Sequence, residues 1–317
     1  MWYSSPANYA HTITNGRWLC ANHLALIDTV VTDLIYQYNF PINRTLLSTW
    51  HHEVKNKLPR ILIIEAPPRH GKSEYISKYL PSWFLSMLPH KNVILTSYAK
   101  ELSRNFGRYV KQNIEYFGPK YFGIDVKDDK AAASDWGIQT LSGTQLGGML
   151  SSGIGGAVTG FGAHLFIIDD FCKNAEEALS EKIRDKWWDT FQSTLQTRLE
   201  SNAVIVIIAT RWHSDDLIGR LTGDSDQDYD WSEPYIRIRL PAIAEDSTQL
   251  DQEYINKVLQ RNPGDALWPD RYNITSLEST MTNLDDYWWN SLYQQNPGRS
   301  DRIEWPDSYF TNLLINS

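Results

Sequence analysis

Three short stretches of this chain carry residue types that together could handle a nucleoside triphosphate. The first is Ala66-Pro67-Pro68-Arg69-His70-Gly71-Lys72-Ser73. It fits the Gly-x-x-x-x-Gly-Lys-Ser/Thr phosphate loop, with Ala66 standing at the usual first glycine. In such a loop the backbone N–H groups and the start of the following helix point at phosphate oxygens. Lys72 would set a cation against the outer phosphates, and the Ser73 hydroxyl is a hard oxygen donor suited to Mg²⁺. The second stretch, Leu165-Phe166-Ile167-Ile168-Asp169-Asp170, is an apolar run ending in two carboxylates. Asp169 is placed to hold Mg²⁺, directly or through water, and Asp170 to orient or deprotonate an attacking water. In the third, Ile205 to Ala209 leads into Thr210-Arg211-Trp212-His213, where a polar residue beside the other two could sense the γ-phosphate and relay its loss.

Each stretch also has a plain structural reading. A Gly-Lys-Ser can precede a helix by accident, an Asp pair can cap one, and a polar residue after a strand is commonplace. Ser214-Asp215-Asp216-Leu217 reads as a capped helix start, which explains its charges without chemistry. The phosphate reading is stronger because the loop sits between a predicted strand and a predicted helix, the context such a motif requires.

The elements that must position these residues alternate. Residues 17–57 read as helical, with Leu24, Ile27, Val31, Leu34 and Ile35 at helical spacing. Arg60 to Ala66 is an isoleucine-rich strand stopped by Pro67-Pro68. A helix is predicted from Gly71 to about Leu88, bent or stepped at Pro81, then a strand over Asn92–Ser97 and a helix from Lys100 to about Phe117. Residues 118–162 look less regular, with a Gly/Ser-rich stretch from Gly147 to Gly162. Strand His164–Ile168 leads to one long amphipathic helix over Ala175–Leu199, and strand Val204–Ala209 closes the set. Alternating strands and helices predict an α/β fold with a mainly parallel sheet covered on both faces, its ligands at the C-terminal strand ends. Beyond Pro241 the pattern weakens, which divides the chain into a core at 1–241 and a helical lid or linker at 242–317.

Composition narrows the class further. With 317 residues, 42% hydrophobic and 21% charged, the chain can bury a large core and is not a mainly disordered protein. Its longest apolar run, Ala203 to Ala209, falls well short of the roughly 20 residues that span a bilayer, so no membrane partner is expected. Cys20 and Cys172 offer neither a disulfide framework nor metal spacing, which points to a reducing cytoplasm. His51, His52, His70, His164 and His213 share no zinc-ligand pattern. The net charge of −8 argues against a surface that binds nucleic acid everywhere. Lys55 to Lys111, however, holds eleven Lys/Arg against three Glu, whereas Trp212 to the end holds nineteen acids against eight bases. A polyanion would be met by the region of the phosphate loop.

The order and spacing of several segments carry a resemblance. Pro67 to Ser73, Thr96-Ser97-Tyr98-Ala99, Gly155-Gly156 with Thr159-Gly160, Ile167 to Asp170 and Thr210 to His213 are followed by Leu267-Trp268-Pro269 and Leu292-Tyr293-Gln294-Gln295-Asn296-Pro297. The chain in this respect resembles the terminase large subunits of tailed phages, over about residues 22–306. The resemblance implies a P-loop NTPase fold of the ASCE type, and an ATPase that uses ATP and Mg²⁺ to translocate double-stranded viral DNA into a procapsid. It implies as partners DNA, a portal protein, a small terminase subunit and further copies of the chain in a ring, in the host cytoplasm and transiently on the procapsid.

Residue by residue, the resemblance implies that Pro67 through Glu74 contact nucleotide. Lys72 takes the outer phosphates, Ser73 and Asp169 the metal, Asp170 the slot of the catalytic carboxylate and Thr210 that of the coupling residue. Arg69 resembles the in-loop arginine that reaches the outer phosphates as subunits tighten. Asp170 stands where many relatives have Glu, and Phe161 where many have an Arg that acts across subunits. Arg104, Arg108, Arg184 and Arg198 remain for that role, each more simply read as a surface salt-bridging residue. An adenine platform around Asn22-His23 or Trp50-His51 is open to the same plain reading. Only Asp301, Glu304 and Asp307 follow Pro297 as acids, with no strand–helix pattern, so the family's separate two-metal nuclease is not expected in this chain. Two alternatives stay open: a helicase-type translocase, which needs a second motor lobe, and a nucleotide-binding assembly protein without turnover.

Overall fold

Two amphipathic helices open the chain, α1 (Pro6–Ile13) and α2 (Asn22–Asn39). The structure, a computed structural model, describes residues 2–40, 59–156, 160–246 except 226, 228 and 230, and 250–298. Helix α2 buries Leu24, Ile27, Val31, Leu34 and Ile35, the face its spacing predicts. Trp50, His51 and His52 lie outside the described residues, as do Thr159, Asp301, Glu304 and Asp307.

Strand β1 (Ile61–Glu65) is wholly buried. The helical run after the loop is α3 (Lys72–Glu74), a π turn over Tyr75–Tyr79, and α4 (Leu80–Met87). The step expected at Pro81 is this widened turn, in which the Leu80 N–H reaches back to the Tyr75 carbonyl. Strand β2 (Asn92–Ser97) follows, then α5 (Lys100–Tyr121), which runs past the predicted end and takes Pro119 into its last turn.

The region expected to be irregular is instead three strands: β3 (Ile124–Ala131), β4 (Asp135–Thr140) and β5 (Gln145–Gly153). Charge in β3 and Gly/Ser in β5 hide the usual strand signature. Gly147 is required by close approach, because a Cβ there would fall 1.9 Å from the Lys91 carbonyl oxygen.

After β6 (Ala163–Asp169) the single long helix expected over Ala175–Leu199 is broken into α6 (Ala175–Leu179) and α7 (Glu181–Thr190). Ser180 adopts an extended conformation between them, and its carbonyl takes the first free N–H groups of α7, from Ile183 and Arg184. A further π turn and a 3₁₀ turn lead to β7 (Leu199–Ala209), which starts earlier than the predicted Val204. Asp216 caps α8 (Leu217–Thr222) as its sequence suggests. Strand β8 (Tyr235–Arg239), not foreseen, is an edge strand of alternating burial. Short helices α9 (Leu250–Leu259), α10 (Ile274–Asn283) and α11 (Asp286–Trp288) follow.

The sheet order is β3-β4-β5-β2-β6-β7-β1-β8. From β5 through β8 every neighbouring pair is parallel, while β3 and β4 form an antiparallel margin. One strand, β7, separates β1 from β6, the arrangement of an ASCE-type P-loop NTPase. Alternate residues of β1, β2, β6 and β7 feed two cores. Leu62, Ile64, Leu95, Ile167 and Val206 join one, and Ile61, Ile63, Ile94, Ile168 and Ile207 the other. Beyond Pro241, Ile255, Leu259 and Leu267 join the first core, whereas Ala242, Leu277 and Trp289 make a small cluster of their own.

Candidate nucleotide site

The loop between β1 and the helical run turns through two left-handed residues, Arg69 (φ 62°) and Gly71 (φ 84°). At Gly71 this costs little, and a Cβ there would press to 3.2 Å from Leu24 Cδ1. Arg69 is exposed at the loop apex, while Pro67 and His70 are buried. His70 is braced internally: its Nδ1–H donates to the Pro68 carbonyl at 2.9 Å, and its own carbonyl accepts from His23 Nε2 at 2.8 Å. Burial lowers both imidazoles to about 4, so they stay neutral near pH 7. His23 thus lies behind the loop as a support from α2. The Trp268 ring lies tilted 5.3 Å from that of His23 and the Tyr272 ring 4.8 Å from that of His70, so Trp268 and Tyr272 pack against the loop and its support. Glu74, assigned to nucleotide contact from its place after the motif, is exposed and pairs with Lys78 at 3.6 Å.

Three strand ends bring the chemistry together. Lys72 Nζ donates to Thr210 Oγ1 at 2.8 Å and lies 3.5 Å from Asp170 Oδ2. Thr210 Oγ1 donates in turn to the Ala66 carbonyl at 3.2 Å, and the Thr210 N–H donates to Asp170 Oδ1 at 3.0 Å. Asp170 holds a left-handed backbone (φ 47°), a strain of about 1–2 kcal/mol for an L-residue. It is fixed there by bonds from its N–H to the Ile208 carbonyl and from the Tyr98 N–H to its carbonyl, both 2.9 Å. Asp170 does not cap α6, since Asn174 does so.

Asp169 is fully buried, and both its oxygens accept hydroxyl bonds, from Ser73 at 2.8 Å and Ser77 at 2.6 Å. Burial, and then the Asp170 charge, raise its pKa; the two serines and Lys72 only partly offset this. Ser77 went unnoticed in the sequence, although it lies one turn after Ser73 on the same helix face.

The donors fit Mg²⁺: a hydroxyl and a carboxylate are hard oxygen ligands, and a buried carboxylate of raised pKa favours a nearby cation. Among the described residues no group of three His, Cys, Asp or Glu could hold a metal.

Of the four arginines considered for a neighbouring subunit, Arg184 is committed inside this one. It is buried, bonds Asp215 Oδ2 at 3.0 Å and donates to the Ala178 carbonyl at 2.9 Å. Arg104 and Arg108 are exposed on α5, and Arg198 is partly exposed before β7. Phe161 packs against the second core. The segment after Thr210 is clamped from the C-terminal side. Gln295 Oε1 accepts from the Arg211 N–H at 3.1 Å, and Tyr287 donates to the Trp212 carbonyl at 2.8 Å.

A family profile described as "Terminase large subunit, T4likevirus-type, N-terminal" matches residues 63–280. The chain belongs to the terminase large subunit family. The matched range holds the loop, both carboxylates and Thr210. Among solved structures it is similar to the large terminase of bacteriophage HK97, at 10% identity and a TM-score of 0.45, covering 76% of this chain and 47% of that one. It is similar also to the large terminase ATPase domain of a Thermus phage, at 11% identity and a TM-score of 0.46, covering 84% and 98%. The chain thus spans about half the length of the HK97 terminase. No curated protein matches it.

Proposed function

We propose that this terminase chain is an ATP-hydrolysing motor that translocates double-stranded viral DNA into a procapsid. The observation that carries the reading is the convergence of two adjoining bonded sets, Lys72 with Asp170 and Thr210, and Ser73 with Asp169, at the C-terminal edge of the sheet.

In this reading the loop from Pro67 to Ser73 wraps the phosphates, with backbone N–H groups aimed at them and Lys72 supplying positive charge. Ser73 and Asp169 would hold Mg²⁺, which when bound neutralises phosphate charge during transfer. Asp170 orients the attacking water and accepts its proton at the carboxylate, while its other oxygen stays on the Thr210 N–H. Arg69, exposed at the loop apex, adds a cation at the outer phosphates when subunits close. Thr210 touches Lys72 and Asp170 from a strand end whose next residues are held by Gln295 and Tyr287, so it can pass a change at the γ-phosphate to the C-terminal segment. DNA is gripped through its backbone charge, without sequence reading. The partners are the portal protein, the small terminase subunit and further copies in a homo-oligomeric ring, in the host cytoplasm and on the procapsid.

A packaging assay tests this, with portal-bearing procapsids, ATP, Mg²⁺ and nuclease-resistant DNA as the readout. Wild type should protect DNA, and Asp170→Asn should bind nucleotide yet protect none. Steady ATP hydrolysis by wild type with no DNA protected in the complete system would remove translocation from the reading.

A further inference from the structure

Next to the cluster that faces nucleotide lies a second set of charges, built around a buried pair. Glu65 and Arg211 are completely buried. Arg211 Nη1 meets Glu65 Oε1 at 2.5 Å and Asp224 Oδ2 at 3.0 Å, while its Nε meets Asp216 Oδ2 at 2.8 Å. Arg237, from β8, completes the set through Glu65 Oε2 at 2.7 Å and Asp224 Oδ2 at 2.6 Å. Burial alone would raise the Glu65 pKa, but Arg237 and Arg211 together outweigh it and hold the group below the usual carboxylate range.

The placement of the pair is what matters. Glu65 is the last residue of β1, directly before Ala66 where the phosphate loop begins. Arg211 directly follows Thr210 at the end of β7. Each charged residue therefore adjoins one half of the contact between Ala66 and Thr210, which is a 3.2 Å bond from the Thr210 hydroxyl to the Ala66 carbonyl. Buried ion pairs stabilise little relative to apolar residues of like volume, so gross stability is a poor reason for this cluster. Arg237 holds Glu65 in a two-bond fork, and the planar Arg211 guanidinium bridges Glu65, Asp216 and Asp224, which fixes the relative position of two strand ends.

We infer that Arg211 and Glu65 form a positioning pair, which sets the separation of the phosphate loop from Thr210 and so places the Thr210 hydroxyl on Lys72. Neither residue touches the nucleotide. Arg211 also receives the C-terminal segment, through its N–H on Gln295, so the seating of that segment and the alignment of Thr210 share one anchor. The inference rests on the ATPase reading of the cluster above it. It adds that this reaction depends on a residue pair with no contact to its reactants.

The test compares wild type with Glu65→Gln/Arg211→Gln, which removes both charges and keeps amides in place, and with Arg211→Lys, which keeps the charge and loses the fork. Three quantities are read: binding of Mg²⁺-ATPγS, kcat and KM for ATP, and hydrogen–deuterium exchange of segments 66–73 and 209–213. In the double variant kcat should fall by about tenfold to a hundredfold, as for a misplacement near an ångström, with nucleotide affinity retained and exchange faster in both segments. Arg211→Lys should show the same pattern more weakly, and it decides alone where the double variant does not fold. A folded variant with wild-type kcat overturns the pair. So does a kcat loss matched by an equal loss of nucleotide binding, the signature of general damage. Where wild type itself shows no turnover, the ATPase reading fails, and exchange still decides the pair: unchanged protection in both segments overturns it.

Discussion

Replacing Thr210 with Val removes one hydroxyl and preserves both size and β-branching. In the structure that hydroxyl accepts from Lys72 Nζ at 2.8 Å and donates to the Ala66 carbonyl at 3.2 Å. Thr210 and Lys72 are both buried, so water is poorly placed to replace either bond. A hydrogen bond to a charged group contributes about 1.5–3 kcal/mol and a neutral one about 0.5–1.5 kcal/mol, giving a loss of roughly 2–4.5 kcal/mol. Lys72 keeps Asp170 at 3.5 Å, so the lower part of that range is expected. Urea unfolding measures it directly, provided the slope is unchanged between variants. Thr210→Ser is the control: it keeps the hydroxyl, loses one methyl, and should lose only about 1 kcal/mol. Turnover should drop in the Val variant and survive in the Ser variant. A Val variant within about 0.5 kcal/mol of wild type, the range of a neutral surface change, and with full turnover would show that the hydroxyl's two bonds neither hold the site together nor serve turnover.

Three further outcomes follow from other contacts. Ser77→Ala removes the 2.6 Å donor on buried Asp169, a bond of about 1.5–3 kcal/mol, and should raise the Mg²⁺ concentration needed for half-maximal turnover; an unchanged Mg²⁺ titration counts against a role for Ser77. Gly147→Ala forces a Cβ to 1.9 Å from the Lys91 carbonyl oxygen and should destabilise by about 1–3 kcal/mol or more, read as a lower Tm. His23 and His70 are lowered by burial to about 4, against an ordinary imidazole value near 6.5. The unfolded chain therefore binds more protons between those values, and stability is lost as pH falls through the window, by up to about 1.4 kcal/mol per pH unit for each imidazole. Denaturation midpoints at pH 7 and pH 5 that coincide would show that neither ring is held neutral.

Much of the site is visible in the sequence, because a phosphate loop and an apolar strand ending in acids are local patterns. Lys72, Ser73, Asp169, Asp170 and Thr210 meet as those patterns suggest, since Asp169, Asp170 and Thr210 lie at strand ends and Lys72 and Ser73 open the helix after the loop from β1. What stayed hidden depends on tertiary partners. Strand β5 looks like a loop because Gly147 and its neighbours are chosen for how close other backbone comes, and not for strand propensity. Strand β8 is short and half charged, and Arg237 makes sense there only once Glu65 and Asp224 are seen beside it. Ser180 breaks a helix whose apolar spacing runs straight through it, because extended backbone at one residue leaves no trace in periodicity. Arg211 looked like part of a polar strand end, and only the fold shows its side chain turned inward onto Glu65 and Asp216.

ATP hydrolysis as proposed depends on Lys72 and Asp169. The most direct measurement is steady-state phosphate release from ATP with Mg²⁺, with and without double-stranded DNA, for wild type, Lys72→Ala and Asp169→Ala. Wild type should release phosphate faster with DNA, and release should collapse in both variants. Wild-type hydrolysis in either variant, or none in wild type with DNA and portal present, would contradict it.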